Sequence, residues 1–575
     1  MNGFQVTPAH AAIFAAAADP DGGNLQISAV AGAGKTSTLV ELMRRLQGRV
    51  MYLVFNKRNA DEAASRVPAN VRVFTLNAIG YRALLEHMRG LGITPRMNGR
   101  AVEDRTKALL SDAEFREFGG MVVKLVRLAK ANGFIPDDAA LPVPLQWART
   151  SLCPPTVETL LQIMEVHDLD PDCEPVTVAT SALSVLRSCL KHCDEEIDFD
   201  DQLLLSWALG AHFDAPDWTL VDEAQDLSRL QHCMVERISR RGRLIAVGDP
   251  HQAIYAFRGA DASSMARMAE HFCMRQLPLH VSYRCPRAVV ALAQRYVPHI
   301  QPHANAPDGV VVEQAVPASS VEMRPGDMVV CRNTAPVVRI AYGLLRAGTP
   351  VTVLGKDIGA GVLALVKKLR GGTLDGLRTK LADWQHKETT KAREKNDEAK
   401  VSSIEDKAET LRCFIAMSSS VDDLKARVEG MFAEANPASV VTCSTIHKAK
   451  GLEAERVFIA DFHRMPSKHA TKDWQLEQET NLIYVAVTRA KRHLQMVTAP
   501  GGDAIMTPLE GTARAETRQP ARMVVVGGNT FPVKEELKAL GARWDKAGGV
   551  WLVPENCAEE ARNLVKNAGP ARRRW

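Results

Sequence analysis

Residues 25–46 read LQISAVAGAGKTSTLVELMRRL, and this stretch decides the fold. An apolar run leads into a glycine-containing turn, and a helical pattern begins at Thr36. A turn of this kind points backbone N–H groups and a helix N-terminus at phosphates, while Lys35 reaches the β- and γ-phosphates and Thr36 holds Mg²⁺. Ala29 stands where the general phosphate-loop pattern has its first glycine. We predict that the phosphate-binding turn consists of Ala31, Gly32, Ala33, Gly34, Lys35, Thr36 and Ser37.

A second apolar run, residues 218–221, ends in two adjacent carboxylates, Asp222 and Glu223. Acidic residues at the end of a strand are often plain helix caps. Behind a phosphate-binding turn, however, one carboxylate can hold Mg²⁺ while its neighbour orients and deprotonates a water molecule. We therefore predict an ATP-hydrolysing site in which Thr36 and Asp222 hold the metal, and Lys35 and Glu223 act in catalysis.

The composition limits the remaining possibilities. At 575 residues the chain is too long for one hydrophobic core, and 46% hydrophobic with 24% charged residues is typical of globular domains. The 72 Lys and Arg against 67 Asp and Glu give a net charge of +5, which is too small to establish a polyanionic partner. No apolar run reaches the roughly 18 residues of a membrane span, and no signal-peptide pattern opens the sequence. We expect a cytoplasmic protein without a membrane partner.

The 11 cysteines are scattered and odd in number, which favours reduced thiols over a disulfide framework. Cys189, His192 and Cys193 form the one cluster that suggests zinc or iron–sulfur ligands. Cys189 and Cys193 would share a helix, however, and no matching second pair follows, so a metal centre here is disfavoured.

Alternating apolar runs and helical patterns predict an α/β protein with parallel sheets. Residues 86–195 and 361–435 lack strand signals and read as two helical insertions, the second of which contains a charge-dense stretch. A segment rich in Gly, Thr, Ala, Pro and Arg, residues 499–520, predicts a linker. Residues 521–575 then read as a small separate α+β module.

Four further motifs accompany the two nucleotide motifs. They are GDPHQAIYAFRGA (248–260), VSYRC (281–285), TIHKAKGLE (445–453) and YVAVTRAK (484–491). In order and spacing the six motifs resemble those of superfamily 1A DNA helicases of the UvrD/Rep kind. The segments LVFNK (53–57) and TLN (75–77) look closest to the F-box helicase branch and its bacterial and phage relatives. The resemblance covers about residues 5–498.

This resemblance implies two RecA-like domains, each interrupted by a helical insertion. The first domain would comprise residues 1–85 and 196–271, with 86–195 as its insertion. The second would comprise residues 272–360 and 436–498, with 361–435 as a short insertion. Because this second insertion is far shorter than in the large members, its role in engaging duplex DNA is expected to be reduced.

The resemblance also assigns roles around the nucleotide. Gln252 looks like the sensor that couples the γ-phosphate to the DNA face, and Arg284 and Arg489 resemble the family's arginine fingers. Tyr283 resembles the residue that stacks on adenine, and Glu453 the one that contacts ribose. His10 replaces the glutamine that reads the adenine edge, so we expect looser nucleotide selectivity.

On the DNA side, a motor that ignores sequence needs backbone contacts and aromatic faces for stacking. The residues matching the family's DNA positions are Phe55, Asn56, Thr75, Asn77, Tyr255, Phe257, Arg258, Thr445, His447 and Lys450. Asn77 departs from the usual histidine. The C-terminal module is similar to small modules fused to DNA-processing enzymes and to the HARP module of annealing helicases. There, Arg543 and Trp544 lie near a predicted turn and are DNA-binding candidates, with a purely structural role as the alternative.

The predicted function is an ATP- and Mg²⁺-dependent motor that moves on single-stranded DNA and unwinds duplexes, with 3′-to-5′ polarity implied by the family. The expected partners are ATP, single-stranded DNA, single-strand/duplex junctions, and proteins of replication or recombination; a monomer is expected. One alternative is a nucleotide-switched DNA-binding or strand-annealing factor without processive unwinding. A helicase–nuclease is disfavoured because no nuclease-like carboxylate and lysine constellation follows Ala490.

Overall fold

The computed structural model describes most of the chain up to residue 501 and part of the remainder. The described residues are 4–55, 57–149, 151–152, 156–166, 169, 171, 173–254, 263–394, 398–433, 435–467, 470, 473–501, 523–526, 533, 536–537, 540, 542–545, 550–554 and 558–567.

The first sheet has six parallel strands. In spatial order they are Val71–Thr75, Val50–Val54, Trp218–Val221, Arg243–Gly248, Leu25–Ala29 and Arg275–Leu279. Near-continuous apolar runs form these strands because helices cover both faces of a parallel sheet, and all five residues of Val50–Val54 are buried. The apolar run before the glycine-containing turn and the apolar run 218–221, both noted in the sequence, form two of these strands.

The prediction that the first domain ends at residue 271 is wrong. The strand Arg275–Leu279 pairs in parallel with Leu25–Ala29 and completes the edge of the first sheet. Its alternating polar and apolar residues gave only a weak strand signal, because an edge strand is not buried on both faces. The first sheet therefore continues to Leu279.

Helices flank this sheet and form its insertion. Those of the domain are Pro8–Ala18, Lys35–Met43, Lys57–Ala64, Leu76–Gly90, Asp201–Ala208, Arg229–Ser239 and Ser264–His271. Those of the insertion are Ala101–Leu109, Asp112–Glu114, the π-helix Phe115–Gly119, Gly120–Ala131, Val157–Val166 and Pro175–Lys191. A two-stranded parallel pair, Arg96–Met97 with Glu196–Ile197, joins the two ends of the insertion.

The second sheet also has six parallel strands. Their spatial order is Val310–Pro317, Ala490–Thr498, Ala454–Ala460, Met328–Cys331, Val441–Thr445 and Val351–Val353. Its helices are Arg287–Ala293, Thr334–Arg346, Ile446–Ala449 and Asp473–Val487, and a short pair, Val281–Ser282 with Gln301–Pro302, precedes it. The helices Lys356–Leu369, Leu374–Glu394, Glu398–Met417 and Val421–Met431 form the second insertion. The described residues of the charge-dense stretch thus fall within helices.

The C-terminal residues 507–575 form a separate compact unit. Its antiparallel sheet has the order Met523–Val526, Val550–Pro554, Arg543–Asp545, and the helix Ala558–Asn567 packs on it. Trp551 is buried with Leu537 and Val553 in its small core. Most of the predicted linker, residues 502–520, lies outside the described residues.

A buried ion cluster ties the first insertion to its domain. The ammonium of Lys130, which is fully buried, lies 2.7 Å from Asp198 Oδ2 and 2.7 Å from Asp201 Oδ1. Burial disfavours the ammonium, but the two carboxylates outweigh it and hold the pKa of Lys130 well above its usual value. Asp198 Oδ1 also accepts the N–H groups of Asp200 and Asp201, at the start of the helix Asp201–Ala208. The insertion is thereby anchored beside that helix.

We predict that Lys130→Met destabilises the chain by about 3–5 kcal/mol, because it leaves two buried carboxylates without their cation. The control is Lys107→Met, which removes the exposed ion pair between Lys107 and Glu103 within the helix Ala101–Leu109. This change is expected to cost less than about 1 kcal/mol of stability. Urea unfolding followed by circular dichroism measures both. Equal midpoints for the two variants would contradict a structural role for the buried cluster.

Candidate functional site

The glycine-containing turn leads directly into the helix Lys35–Met43. Gly32 and Gly34 have φ values of 72° and 76°, in the left-handed region that favours glycine. A Cβ on Gly32 would lie 2.6 Å from Cβ of Arg284, while its carbonyl accepts the N–H of Tyr283 at 2.8 Å. The helix N-terminus and the turn therefore face the segment that leads into the second domain. The glycine-containing turn thus leads into a helix N-terminus, and anion binding there stays a prediction from the sequence.

The two adjacent carboxylates lie beside Lys35. The Lys35 ammonium contacts Glu223 Oε2 at 3.0 Å, and Glu223 has a left-handed backbone with φ of 53°. Asp222 Oδ1 accepts the N–H of Glu223 at 2.9 Å, and Oδ2 accepts the hydroxyl of Tyr52 at 2.7 Å. A non-glycine residue with positive φ at such a site is a strained conformation that the neighbouring contacts hold in place.

Burial and charge shift the two carboxyl groups in opposite directions. Burial and the negative charge of Glu223 raise the pKa of Asp222 to about 6. Burial would also raise the pKa of Glu223, but Lys35 and Lys450 outweigh it and lower that pKa to about 2. Burial disfavours the Lys35 ammonium, yet the carboxylates of Glu223, Asp249 and Asp222 raise its pKa. Glu223 is consequently ionised at neutral pH and Lys35 is positively charged.

Tyr52 and Gln225 contribute to this site and were missed from the sequence. Tyr52 lies in a buried strand whose other residues are apolar. The sequence signal for its role was its hydroxyl group, which needs a hydrogen-bond partner when it is buried. The amide of Gln225 donates to Glu223 Oε2 at 2.6 Å, and its oxygen accepts the N–H of Asp249 at 3.0 Å. Asp249 in turn accepts from the side chain of Gln252 at 2.7 Å. The predicted γ-phosphate sensor is therefore linked to Glu223 by two side chains.

Lys450 crosses from the second domain into this cluster. Its ammonium lies 2.6 Å from Asp226 Oδ2 and donates to the carbonyl of Gln252 at 2.5 Å. Both side chains are almost fully buried, at 7% exposure for Lys450 and 1% for Asp226. The sequence predicted a DNA contact for Lys450, whereas in this structure its charge lies within the cleft.

Two guanidinium groups face the cleft from the other side. Arg284 is paired with Glu453 at 2.5 Å, and Lys491 contacts the same carboxylate at 2.6 Å. Arg489 is 1% exposed and donates to the carbonyls of Val485 and Leu452 and to the hydroxyl of Thr488. These are uncharged acceptors. Burial and the charge of Arg284 lower the pKa of Arg489 to about 10. An anion bound in the cleft would therefore stabilise this buried guanidinium.

The aromatic end of the cleft contains Tyr283 and His10. Tyr283 is 42% exposed, and its ring lies 6.4 Å from that of the buried His10, with 25° between the planes. Tyr484 is the first residue of the motif YVAVTRAK, and no role was predicted for it from the sequence. Its hydroxyl accepts the N–H of Ala31 at 2.8 Å, which ties the phosphate-binding turn to the second domain.

Several predicted DNA contacts lie at the carboxyl edges of the two sheets. Phe55 follows the strand Val50–Val54 and is 37% exposed, while Thr75 and Thr445 end their strands. Thr75 accepts the N–H of Ala78 as a helix cap, and Thr445 is buried. His447, in the short helix after Thr445, is half-buried.

Other predicted contacts differ or are outside the description. The side chain of Asn77 donates to the carbonyl of Phe199 and to Gln202, so its amide hydrogens are used within the protein. Phe199, which was not predicted as a site residue, lies beside Asn77 and is 60% exposed. The sequence signal for it was an aromatic residue within a run of acidic residues. Asn56, Tyr255, Phe257 and Arg258 lie outside the described residues, as do the side chains of Arg543 and Trp544.

Within the described part of the chain, no three or more His, Cys, Asp or Glu side chains form a group that could hold a metal ion. The thiols of Cys189 and Cys193 are buried, which raises the pKa of each to about 12. No helix in the described ranges is long and apolar enough to cross a membrane.

The fold and the cleft define a P-loop nucleotide-binding protein with two RecA-like domains. A family model described as the UvrD/REP helicase N-terminal domain matches residues 210–273, and one described as the UvrD-like helicase C-terminal domain matches residues 364–500. Both family models thus identify UvrD-like helicase domains within the chain, as the six motifs predicted.

Similar proteins include three ATP-dependent or F-box DNA helicases. The F-box DNA helicase protein 1 of Schizosaccharomyces pombe is 25% identical over 82% of this chain and 55% of its own length. The ATP-dependent DNA helicase UvrD2 of Mycobacterium tuberculosis is 26% identical over 84% of this chain and 78% of its own. The F-box DNA helicase 1 of Gallus gallus is 25% identical over 82% of this chain and 47% of its own. The chain thus spans only about half the length of the two F-box relatives.

We predict that Tyr52→Phe weakens Mg²⁺-dependent binding of a non-hydrolysable ATP analogue about fivefold, because Asp222 loses a buried hydrogen bond worth about 1 kcal/mol. Tyr296→Phe is the control, since Tyr296 packs against the core away from the acidic pair. Calorimetric titration with and without Mg²⁺ measures the effect. Equal Mg²⁺ dependence in Tyr52→Phe and the unmodified chain would contradict the role given to the hydroxyl.

Proposed function

We propose that this protein is an ATP-driven motor that moves on single-stranded DNA and unwinds duplexes. The observation that carries the proposal is the composition of the cleft. The phosphate-binding turn and the carboxylates come from the first domain, whereas Arg284 and Arg489 approach from the second. A site assembled from two domains can convert binding and hydrolysis into a change in their separation, which is what a translocase requires.

The chemistry would proceed by attack of water on the γ-phosphorus. Nucleotide phosphates compete with Glu223 for the Lys35 ammonium, and the transfer of Lys35 to the phosphates frees the Glu223 carboxylate. Glu223 then accepts a proton from the attacking water as the bond between the γ-phosphorus and the β–γ bridging oxygen breaks. Arg284 and Arg489 stabilise the negative charge that develops, and ADP and phosphate leave.

The donor set fits Mg²⁺. Thr36 supplies an exposed hydroxyl at the start of the helix, and Asp222 supplies a carboxylate oriented by Tyr52. Such a pair suits a cation that keeps several waters and binds phosphate oxygens. The ion would neutralise charge on the phosphates, while Thr36 and Asp222 hold it in place.

The DNA track we propose follows the carboxyl edges of both sheets. Phe55 and Phe199 provide exposed aromatic surface there, and Thr75 and His447 provide polar groups. Stacking on aromatic faces and contacts to phosphates bind single strands without reading sequence. The match to UvrD/Rep-like helicases supports 3′-to-5′ movement, a monomeric motor, a cytoplasmic location, and work at single-strand/duplex junctions in replication, repair or recombination.

A second candidate function is a nucleotide-switched strand-annealing or remodelling factor. The short second insertion of four helices and the separate C-terminal unit favour it. Strand displacement on partial duplexes with a 3′ tail, a 5′ tail or no tail separates the two, with ATP hydrolysis measured in the same reactions. Displacement restricted to 3′-tailed duplexes supports the motor. ATP hydrolysis without displacement, accompanied by faster annealing of complementary strands, supports the alternative.

We predict that Lys35→Ala and Glu223→Gln both reduce DNA-stimulated ATP hydrolysis by at least about a hundredfold, or some 2.7 kcal/mol. Their nucleotide binding should differ. Lys35→Ala removes the phosphate contact and weakens binding, whereas Glu223→Gln removes the base and leaves the phosphate-binding turn intact. Filter binding with labelled ATP makes the comparison. Near-normal turnover in Glu223→Gln would remove Glu223 from the mechanism.

We predict that Phe199→Ala weakens single-stranded DNA binding by about 1–3 kcal/mol, since one stacked base loses its aromatic partner. The ATP hydrolysis rate without DNA should be unchanged, because the Phe199 ring is exposed and lies beside Gly99 in the first insertion. Leu345→Ala is the matched control. Leu345 is 45% exposed near the end of the helix Thr334–Arg346, which starts at the carboxyl edge of its sheet and ends near the opposite edge. Fluorescence anisotropy with labelled oligonucleotides should show no effect for Leu345→Ala; equal losses for both variants would exclude Phe199 from the track.

A further inference from the structure

The second insertion contains a cavity of about 500 Å³ among three of its helices. The apolar side chains of Ile358, Val362 and Leu365, all in the helix Lys356–Leu369, line it together with Trp384 of the following helix. A cavity of this size, mostly apolar with a few polar groups, is typical of a ligand site. None of the six sequence motifs reaches it, so the nucleotide site does not account for it.

Trp384 has a polar group that the described residues leave unpaired. Its ring packs partly against the core of the second domain, and its indole N–H is buried without a hydrogen-bond partner among those residues. Buried donors are nearly always paired, because an unpaired one is costly. The open space beside the ring allows the small rotation that would bring this N–H to an acceptor of a bound ligand.

The charges around the cavity favour an anion. Lys368 and Lys407 line it from two different helices, both are exposed, and neither belongs to an ion pair within the described part of the chain. The carboxylate of Asp406 also lines the cavity, but it accepts the N–H groups of Thr334 and Ala335 at 3.0–3.1 Å. Two cations thus stand against one carboxylate that backbone donors already stabilise. A ligand with an apolar body and a negative group would suit this arrangement.

The cavity reaches the carboxyl edge of the second sheet. Thr334 lines it and begins the helix Thr334–Arg346, a few residues after Cys331 ends its strand. Cys331 pairs with Thr445, a predicted DNA contact, in the neighbouring strand. The proposed DNA track therefore passes close to one wall of the cavity.

We propose that this cavity binds one nucleotide of the DNA single strand, with the base beside Trp384 and the phosphate between Lys368 and Lys407. This inference rests on the proposed DNA track. Bases stack on aromatic side chains whatever their identity, and their edges carry nitrogen and carbonyl acceptors for the indole N–H. Lysines bind phosphates without reading sequence. The short second insertion would thus hold the strand directly, in addition to the edges of the two sheets.

The first test fills the cavity. Gly361 lines it, and a Cβ there meets nothing within 4 Å, so Gly361→Leu adds a side chain without a clash. Gly343→Leu is the matched control, because Gly343 is also a helical glycine with open space at its Cβ and does not line the cavity. Both changes introduce a better helix former and should not lower the melting temperature.

Fluorescence anisotropy with labelled single-stranded oligonucleotides measures binding to the full chain. We expect Gly361→Leu to bind at least about fivefold more weakly than the unmodified chain, since one base loses its stacking partner. Gly343→Leu should bind normally. Equal affinities for the two glycine variants would overturn the proposal.

The second test uses salt dependence, which a merely structural role would not change. Lys368→Ala and Lys407→Ala should each reduce the slope of log affinity against log salt concentration by about 0.7, because each removes one phosphate contact to a single strand. Lys367→Ala is the control, since Lys367 is exposed on the same helix but does not line the cavity. Unchanged slopes in the Lys368 and Lys407 variants would reject the phosphate contact and with it the proposal.

The third test identifies the side chain beside the base. A single-stranded oligonucleotide carrying 5-iodo-deoxyuridine is irradiated with the full chain, and the crosslinked peptides are sequenced by mass spectrometry. We expect crosslinks at Trp384 that excess unlabelled single strand suppresses and that free dTMP, at the same nucleotide concentration, does not. Suppression by dTMP would indicate a small-molecule site and overturn the proposal, as would crosslinks that avoid Trp384. Crosslinking at Trp384 without strand displacement would support the cavity site and contradict only the motor function.

Discussion

The structure depends on a desolvated cluster of opposite charges in the cleft between the two RecA-like domains. Asp222, Glu223 and Asp226 lie within a few residues of one another, and each would be unfavourable in a buried site without cations. Lys35 compensates Glu223 from within the first domain, and Lys450 compensates Asp226 from the second. Because half of the compensating charge comes from the other domain, the energy of the catalytic carboxylates depends on how the two domains meet.

This dependence gives a physical basis for coupling chemistry to movement. Any ligand that takes Lys35 away from Glu223, or draws Arg489 towards a phosphate, changes the charge balance of the whole cluster. Gln225 and Gln252 extend the cluster because each forms a hydrogen bond with Asp249, and Gln252 precedes the predicted DNA contact Tyr255 by three residues in the sequence. In the proposed motor, a change at the γ-phosphate would be transmitted through these side chains towards the DNA side.

The two ends of the cleft serve different purposes. At the phosphate end, backbone N–H groups and cations recognise charge, which every nucleoside triphosphate shares. At the aromatic end, the exposed ring of Tyr283 is a face on which any base could stack, and the rings of His10 and His303 lie beside it.

The sequence by itself determined the fold class, and it predicted the phosphate-binding turn and the catalytic residues, because apolar runs and short motifs are local properties of the chain. It missed the edge strand Arg275–Leu279, whose weak pattern becomes a strand only by pairing with Leu25–Ala29. Tertiary structure alone brought Tyr52 to Asp222, 170 residues away, and Lys450 to Asp226, 224 residues away. Such contacts depend on packing between distant segments, and no spacing within a single segment encodes them.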